Sequence, residues 1–158
     1  MSDQVINVPT ANVSITPFAF QHYAKDFYEA YKKHKGGPQF SPASFFLITR
    51  SIELAAKSLH LADGRTAEDV KRLDHDLEAA CEASVFAHFG IILIAAEMLE
   101  LRKANKYYKG KGFEYFLFKF SGVKMERSGP QQALFGWPGL PDESVLESIL
   151  NKLLTPKL

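Results

Sequence analysis

The sequence has very little cysteine: Cys81 is the single one among 158 residues. One cysteine cannot form an internal disulfide framework or a cysteine-based zinc site, and we expect it to be a buried core thiol. Long apolar runs are missing as well, since the longest candidate, residues 90–96, is closed by Glu97 and Glu100. A membrane-spanning helix needs roughly 20 apolar residues. The first ten residues also lack the basic start and apolar block of a secretory signal. We therefore expect a cytoplasmic protein with no membrane partner.

Familiar catalytic and cofactor motifs are absent too. The sequence contains no GxxxxGK, no GxGxxG and no GxSxG, and no Glu is followed three residues later by His. The pairs His22/Asp26 and Glu78/Glu82 stand at i and i+4. Such pairs are far more often surface residues than metal sites, which need three or four ligands. The sequence thus predicts no metal and no cofactor.

The composition is that of an ordinary globular domain, with 46% hydrophobic, 23% charged and 13% aromatic residues. The length fits one domain that can enclose a hydrophobic core. We expect an N-terminal extension over residues 1–16 and a single, mainly α-helical domain over residues 17–158.

Two long helices are predicted in the first half of the chain. Thr16-Pro17 and Ser41-Pro42 each place a capping residue before a proline, which is a helix start signal. Gly36-Gly37 and Asp63-Gly64 are the matching stop signals. A short helical turn is expected over residues 65–73, with Thr66 as its cap.

The second half is predicted to contain a long helical segment, a hairpin and a final helix. The segment starts at Asp74 or Asp76 and ends near Lys106, with residues 83–84 as an alternative break. Its expected core face consists of Phe86, Phe89, Leu93, Ala96 and Leu99. Residues 113–120 (FEYFLFKF) are typical of a strand that turns back into residues 123–127 as a β-hairpin. Asp142 starts the last helix, whose expected buried residues are Val145, Leu146, Ile149, Leu150 and Leu153.

A ridge of polar residues stands out on the second helix. Arg50, Glu53 and Lys57 project together from the side opposite the apolar stripe, with His60 near their edge. One interpretation is an ordinary Glu53–Lys57 pair at i,i+4, worth a few tenths of a kcal/mol and completed by Arg50. The other is a partly enclosed functional groove. Periodicity alone favours the ordinary pair. His75, next to two aspartates that can cap a helix, is a weak signal by itself.

Together these residues form a pattern that resembles the HEPN family (higher eukaryotes and prokaryotes nucleotide-binding). One branch of that family has a helix with Ile-Glu-Leu and a following Lys, then a Gly-containing link and His-Asp-Leu. The matching positions are Leu47, Ile52-Glu53-Leu54, Lys57, Leu59, Gly64 and His75-Asp76-Leu77. The convincing part covers about a quarter of the chain, within residues 45–77.

The resemblance implies an up-and-down bundle of four to five helices, usually dimeric, and an association with RNA or nucleotide binding or RNA cleavage. Nuclease members carry an Arg followed after four to six residues by His, and this pair cleaves RNA without a metal. No Arg in this sequence has a His at that distance; the nearest approach is Arg72 and His75. The resemblance therefore implies the fold more strongly than nuclease activity. The catalytic candidates are Arg50, Glu53, Lys57 and His75, but a structural role for this cluster is slightly favoured.

A basic stretch provides the strongest signal for a partner. Residues 101–127 contain eight basic and two acidic residues, whereas the whole chain has a net charge of +1. Basic residues interleaved with aromatic ones are suited to contacting phosphates and stacking on bases. The predicted anion or nucleic-acid site consists of Arg102, Lys103, Lys106, Tyr107, Lys109 and Lys111. A solvated helix end followed by an aromatic strand packed on the bundle explains the stretch equally well.

Three functions are consistent with these features. The favoured one is a HEPN-like module that binds RNA, a nucleotide or a partner protein without catalysis, which by resemblance belongs in a toxin–antitoxin or defence system. The second is a metal-independent ribonuclease that uses Arg50, Glu53, Lys57 and His75. The third is a structural homodimer with residues 113–120 at its interface, because an exposed strand edge favours association.

Overall fold

The first helix begins and ends close to where the sequence predicts. In the computed structural model, which describes residues 13–36, 41–114, 125–127, 133–135 and 139–158, α1 spans Pro17–His34. Thr16 Oγ1 accepts a hydrogen bond from the backbone N–H of Ala19 at 3.1 Å. Just beyond the helix, Gly36 takes a φ of 89°, a left-handed conformation that glycine adopts without a side-chain clash.

The second helix, α2, spans Pro42–Ala62 and is the centre of the fold. It packs along α1 and also contacts each of the helices that follow it. Its predicted apolar stripe, Ile48, Ile52, Ala56 and Leu59, is completely buried. The opposite side is buried as well, because Glu53 is only 1% exposed and Lys57 only 8%. Glu53 and Lys57 of the polar ridge therefore lie inside the protein, where an unpaired charge is costly.

The region after α2 begins with short helices. α3, Ala67–Arg72, has the predicted cap: Thr66 and Asp69 form a reciprocal capping box. α4 is Leu77–Ala80, and Oδ1 of Asp76 accepts hydrogen bonds from Glu78 N and Ala79 N at 3.1 and 3.2 Å. Asp76 is thus the cap, and His75 lies in the turn before the helix.

The prediction of one long helical segment after Asp76 is wrong, because the segment is not continuous. It is divided into α4, α5 (Ala83–His88) and α6 (Ala95–Tyr108). Gly90 has a φ of 67°, and the chain then runs without helix through residues 91–94. A left-handed residue cannot continue a right-handed helix, and the four consecutive large apolar residues after it, three of them β-branched isoleucines, favour extended backbone.

The restart at residue 95 also changes which side of the segment is buried. Ala96 and Leu99, predicted in the core, are exposed, and Leu99 is 52% exposed. The carboxylate of Glu97 accepts a hydrogen bond from the backbone N–H of Ile94 and pairs with Lys152 of the last helix. This side therefore faces inward, and the buried residues of α6 are Glu97, Leu101, Ala104, Asn105, Tyr107 and Tyr108.

The hairpin predicted over residues 113–127 is not seen among the described residues. Phe113 lies in a turn after α6, buried and stacked on Phe45 with ring centroids 5.4 Å apart, and residues 115–124 lie outside the described part. The strand β1, Met125–Arg127, pairs antiparallel with β2, Ala133–Phe135, a segment that the prediction did not include.

The last helix confirms its prediction. α7 spans Glu143–Leu154 and is capped by Asp142, whose Oδ1 accepts from Ser144 N at 2.8 Å. Its buried residues are Leu146, Ile149, Leu150 and Leu153, while Val145 is half-buried. In the described part of the chain, no helix is both long and apolar enough to cross a membrane.

Candidate functional site

Glu53 is the centre of the polar cluster on α2. Its Oε1 accepts a hydrogen bond from Lys57 Nζ at 2.5 Å, and its Oε2 accepts from Arg50 Nη1 at 2.8 Å. The phenol of Tyr108 on α6 donates a further hydrogen bond to Oε2. These donors replace the water that a buried carboxylate loses.

The pKa values follow from this arrangement. Burial opposes ionisation of Glu53, but the charges of Arg50 and Lys57 and the donated hydrogen bonds outweigh it, so the pKa of Glu53 is lowered. Burial, with help from the Glu53 charge, raises the pKa of Tyr108. Glu53 therefore stays ionised and Tyr108 stays a donor at neutral pH.

Lys57 links the cluster to the turn that carries His75. Besides Glu53, its Nζ donates to the backbone carbonyl of Asp74 at 2.5 Å. Asp74 has a φ of 46°, a left-handed conformation that aspartate tolerates better than most residues. The lysine thus fixes the turn against α2, which sets the position of the imidazole that follows.

Arg50 and His75 form the solvent-facing edge of the cluster. Their side chains are 28% and 33% exposed, whereas Glu53 beneath them is 1% exposed. His75 Nδ1 lies 3.2 Å from Glu53 Oε2 and 3.4 Å from Arg50 Nη1. The imidazole also meets the buried ring of Tyr108 edge-on, with centroids 5.8 Å apart at 82°. The structure thus brings together the four candidates Arg50, Glu53, Lys57 and His75.

The charges at this edge are not all positive. The carboxylate of Asp74 lies 3.9 Å from His75 Nε2 and is 80% exposed. Arg50, Glu53 and Lys57 together have two positive charges and one negative charge. The excess positive charge reaches solvent through Arg50, because Lys57 is almost completely enclosed.

Sequence reasoning missed Tyr108 as a member of the cluster. The ridge on α2 is visible from helical periodicity, but Tyr108 is 55 residues from Glu53 in sequence. It appeared only as part of the basic, aromatic stretch. His60 was placed near the ridge and does not belong to it: it is completely buried, and its Nε2 lies 2.7 Å from the carbonyl oxygen of Ala80.

The predicted basic site is mostly engaged within the chain. Arg102 pairs with Glu78 at 2.8 Å, Lys103 with Glu100 at 2.6 Å, and Lys109 with Asp76 at 2.6 Å. The Arg102 and Lys109 pairs hold α6 against α4 and its cap, whereas the Lys103 pair lies within α6. The charge of all three basic residues is largely neutralised.

The other three members of the basic site have different surroundings. Tyr107 is 1% exposed and therefore does not present its ring to solvent. The ammonium group of Lys106 lies 5.9 Å from the Tyr107 ring centroid. Lys111 is exposed in the turn after α6, with a φ of 56°. Lys106 and Lys111 are thus the members with no carboxylate partner among the described residues.

Comparisons with models of protein families, with curated proteins and with solved structures find no match to this chain.

Proposed function

We propose that this protein is a HEPN-like helical module that binds a phosphate of RNA or of a nucleotide at the edge formed by Arg50 and His75, without catalysis. The observation that carries the proposal is the partly exposed Arg50 guanidinium above the buried Glu53–Lys57 pair, because the three side chains together hold one more cation than carboxylate. The helical architecture and the matching positions on α2 and in the His75-Asp76-Leu77 turn agree with it.

Arg50 is suited to an anion because its geometry is already fixed. The contacts with Glu53 and His75 both use Nη1. A guanidinium has five N–H donors in a fixed fork that matches two phosphate oxygens. A side chain held by a buried carboxylate loses little conformational freedom when it binds a ligand, so less binding energy is lost to ordering.

Lys106 and Lys111 provide the longer-range attraction in this proposal. Each exposed cation that neutralises a phosphate releases counterions, so binding weakens as salt rises. The paired residues Arg102, Lys103 and Lys109 contribute less, because a phosphate has to compete with Glu78, Glu100 and Asp76 for them.

The proposal is tested by fluorescence anisotropy with a labelled single-stranded RNA over a salt series. We expect Arg50→Gln to weaken binding about tenfold, which is the loss of one charge-assisted hydrogen bond at the surface. Asp74→Asn removes the exposed carboxylate beside His75 and should strengthen binding. Asparagine also accepts the left-handed backbone at this position.

Arg72→Gln is the matched control for these variants. Arg72 is 78% exposed and pairs only weakly with Asp69 at 3.4 Å, so its loss changes net charge by the same amount without removing a member of the cluster. Equal weakening by Arg50→Gln and Arg72→Gln would mean a general charge effect and would reject the site. RNA binding that does not change with salt would count against the proposal as a whole.

A metal-independent ribonuclease is the second candidate, favoured by the exposed imidazole of His75 beside Arg50. An imidazole is suited to acid–base transfer, and a guanidinium to charge on a cleaved phosphodiester. This candidate predicts RNA cleavage in the presence of EDTA that disappears in His75→Ala. Cleavage that survives this substitution would come from another site or from a contaminant.

A structural homodimer is the third candidate. Its predicted interface, residues 113–120, begins with the buried Phe113 and the exposed Glu114, and residues 115–120 lie outside the described part. A different surface favours it: Ile92, Ile94 and Leu99 are 75%, 58% and 52% exposed within a short stretch at the start of α6. Large exposed apolar side chains are typical of a protein interface where they form one contiguous patch.

A further inference from the structure

The edge formed by Arg50 and His75 continues into an aromatic side chain. Phe46 is half-buried on α2 and stands four residues before Arg50, so the two side chains project from the same side, one helical turn apart. The ring of Phe46 lies 6.4 Å from that of Tyr108, and the ring of His75 lies 5.8 Å from Tyr108. The buried phenol ring of Tyr108 is thus the common neighbour of both half-exposed rings.

Two contacts hold the Phe46 ring in place. The ring is tilted by 40° to Tyr108, and the ring of Phe27 from α1 meets it edge-on at 6.3 Å and 79°. A ring held by two contacts loses little side-chain freedom when a ligand binds to its exposed part. Every nucleobase has a π-face that can stack on such a ring, whatever the sequence.

Resting on the proposed function, we infer that Phe46 is the base-stacking residue of the same site and that the ligand is an unpaired nucleotide. In this arrangement, Arg50 and His75 contact the phosphate, and the base stacks on Phe46. The ribose spans the helical turn that separates the two subsites. A duplex is a poor ligand here, because its bases are already stacked on one another.

A phosphorylated aromatic side chain is the alternative ligand for an aromatic ring beside a cation. In phenyl phosphate, a single oxygen joins the ring to phosphorus, whereas a nucleotide has the ribose between base and phosphate. A nucleotide can therefore place its base on Phe46 and its phosphate at Arg50, one helical turn or about 5.4 Å further along α2.

The test is isothermal titration calorimetry of the full chain with adenosine 5′-monophosphate, ribose 5-phosphate and phenyl phosphate. We expect adenosine 5′-monophosphate to bind about five- to a hundredfold more tightly than ribose 5-phosphate, the gain typical of one stacked base. Phe46→Leu should remove this difference and leave ribose 5-phosphate binding unchanged, whereas Arg50→Gln should weaken both ligands.

Two further variants keep the result interpretable. Phe46→Trp retains an aromatic surface and should preserve the preference for adenosine 5′-monophosphate, which a purely structural role of Phe46 would not require. Phe18→Leu is the matched control, because Phe18 is an aromatic residue of α1 that is 68% exposed and lies outside the cluster. It should leave all three affinities unchanged.

The outcomes separate this inference from the proposed function. Equal affinities for adenosine 5′-monophosphate and ribose 5-phosphate would overturn the stacking role of Phe46 and leave phosphate binding at Arg50 in place. Tightest binding of phenyl phosphate would overturn the nucleotide in favour of a phosphorylated aromatic ligand. No binding of any of the three would reject both the inference and the proposed function.

Discussion

The phenol O–H of Tyr108 donates a hydrogen bond to the Glu53 carboxylate, and this contact joins the end of α6 to the middle of α2 across 55 residues of sequence. This contact completes the set of donors around a carboxylate that is 1% exposed. It also places the Tyr108 ring beneath His75 and Phe46, the two half-exposed rings of the proposed site. The hydrogen bond that stabilises the core therefore also fixes the ring against which His75 and Phe46 pack.

The first prediction concerns the strength of this hydrogen bond. Tyr108→Phe leaves the ring packing intact but removes one donor from a buried, charged acceptor. We expect the free energy of unfolding to fall by about 1.5–3 kcal/mol in urea denaturation. Tyr31→Phe is the control, because the buried hydroxyl of Tyr31 has no hydrogen-bond partner among the described residues. No difference between Tyr108→Phe and the wild type would contradict the geometry of the cluster.

The second prediction concerns Glu53 and acid. Glu53→Gln leaves Arg50 and Lys57 without their counter-ion, which should cost about 3–5 kcal/mol at neutral pH. Because the pKa of Glu53 is lowered in the folded chain, its contribution is present above the ordinary value of 4.5 and is lost as pH falls through the folded pKa. The stability of Glu53→Gln should therefore depend less on pH in this acidic range. Urea denaturation at several pH values measures both effects.

Glu29→Gln is the control for this experiment. The side chain of Glu29 is 62% exposed and pairs with Lys32 on the surface of α1. Exposed pairs are worth at most about 1 kcal/mol. A comparable loss of stability in Glu29→Gln and Glu53→Gln would show that burial of the cluster has no energetic consequence.

The third prediction concerns His60 at mildly acidic pH. Burial lowers the pKa of His60 below its ordinary value of 6.5, and no described group accepts a hydrogen bond from or donates one to its buried Nδ1. The unfolded chain therefore takes up this proton more readily than the folded chain. Stability should fall as pH drops below about 6.5 and stop falling once pH is below the folded pKa. Circular dichroism melts from about pH 7 to about pH 5 follow this range.

His60→Gln is the variant that tests the assignment. Glutamine does not titrate and retains an N–H that can reach the carbonyl of Ala80. The loss of stability between about pH 6.5 and about pH 5 should be smaller in this variant than in the wild type. An unchanged pH profile would assign the effect to another histidine.

The fourth prediction uses two tyrosines of α1 as a matched pair. The buried hydroxyl of Tyr31 has no hydrogen-bond partner in the described part of the chain, whereas the hydroxyl of Tyr28 donates to Glu147 at 2.8 Å. Tyr31→Phe removes an unsatisfied polar group, so stability should stay the same or rise by up to about 1 kcal/mol. Tyr28→Phe should lower stability by about 1 kcal/mol. The two thermal melts should thus shift in different directions, and destabilisation by Tyr31→Phe would reveal a partner for its hydroxyl.

The fifth prediction concerns association through Ile94 and Leu99. If the exposed apolar surface at the start of α6 is an interface between two copies, the wild type sediments as a dimer. The double variant Ile94→Lys/Leu99→Lys should sediment as a monomer, because charge is costly to bury there. Val13→Lys replaces another apolar residue, one that is 70% exposed, and should leave the dimer intact. A strictly monomeric wild type at high concentration would reject this interface.

The sequence by itself determined the elements that carry strong local signals. Thr16, Thr66 and Asp142 cap their helices as predicted, because capping depends only on residues within one turn. The ridge of Arg50, Glu53 and Lys57 also followed from helical periodicity. Prediction failed where the local signals for helix ends are weak. The predicted long helix after Asp76 is interrupted at Gly90, and this left-handed residue changes which side chains of the following helix face the core.

Only the tertiary structure decided whether the polar ridge on α2 is an exposed ion pair or a buried cluster. Periodicity shows that Arg50, Glu53 and Lys57 share one side of α2, but it does not show what packs against that side. The restart of α6 at residue 95 turns Tyr108 toward Glu53 and leaves Leu99 exposed. A surface ion pair worth a few tenths of a kcal/mol thereby becomes a buried cluster, because desolvation makes each hydrogen bond to the carboxylate necessary. Burial depends on contacts between residues that are distant in sequence. It therefore distinguishes the buried, structural residues Glu53 and Lys57 from Arg50 and His75, the edge proposed to bind a ligand.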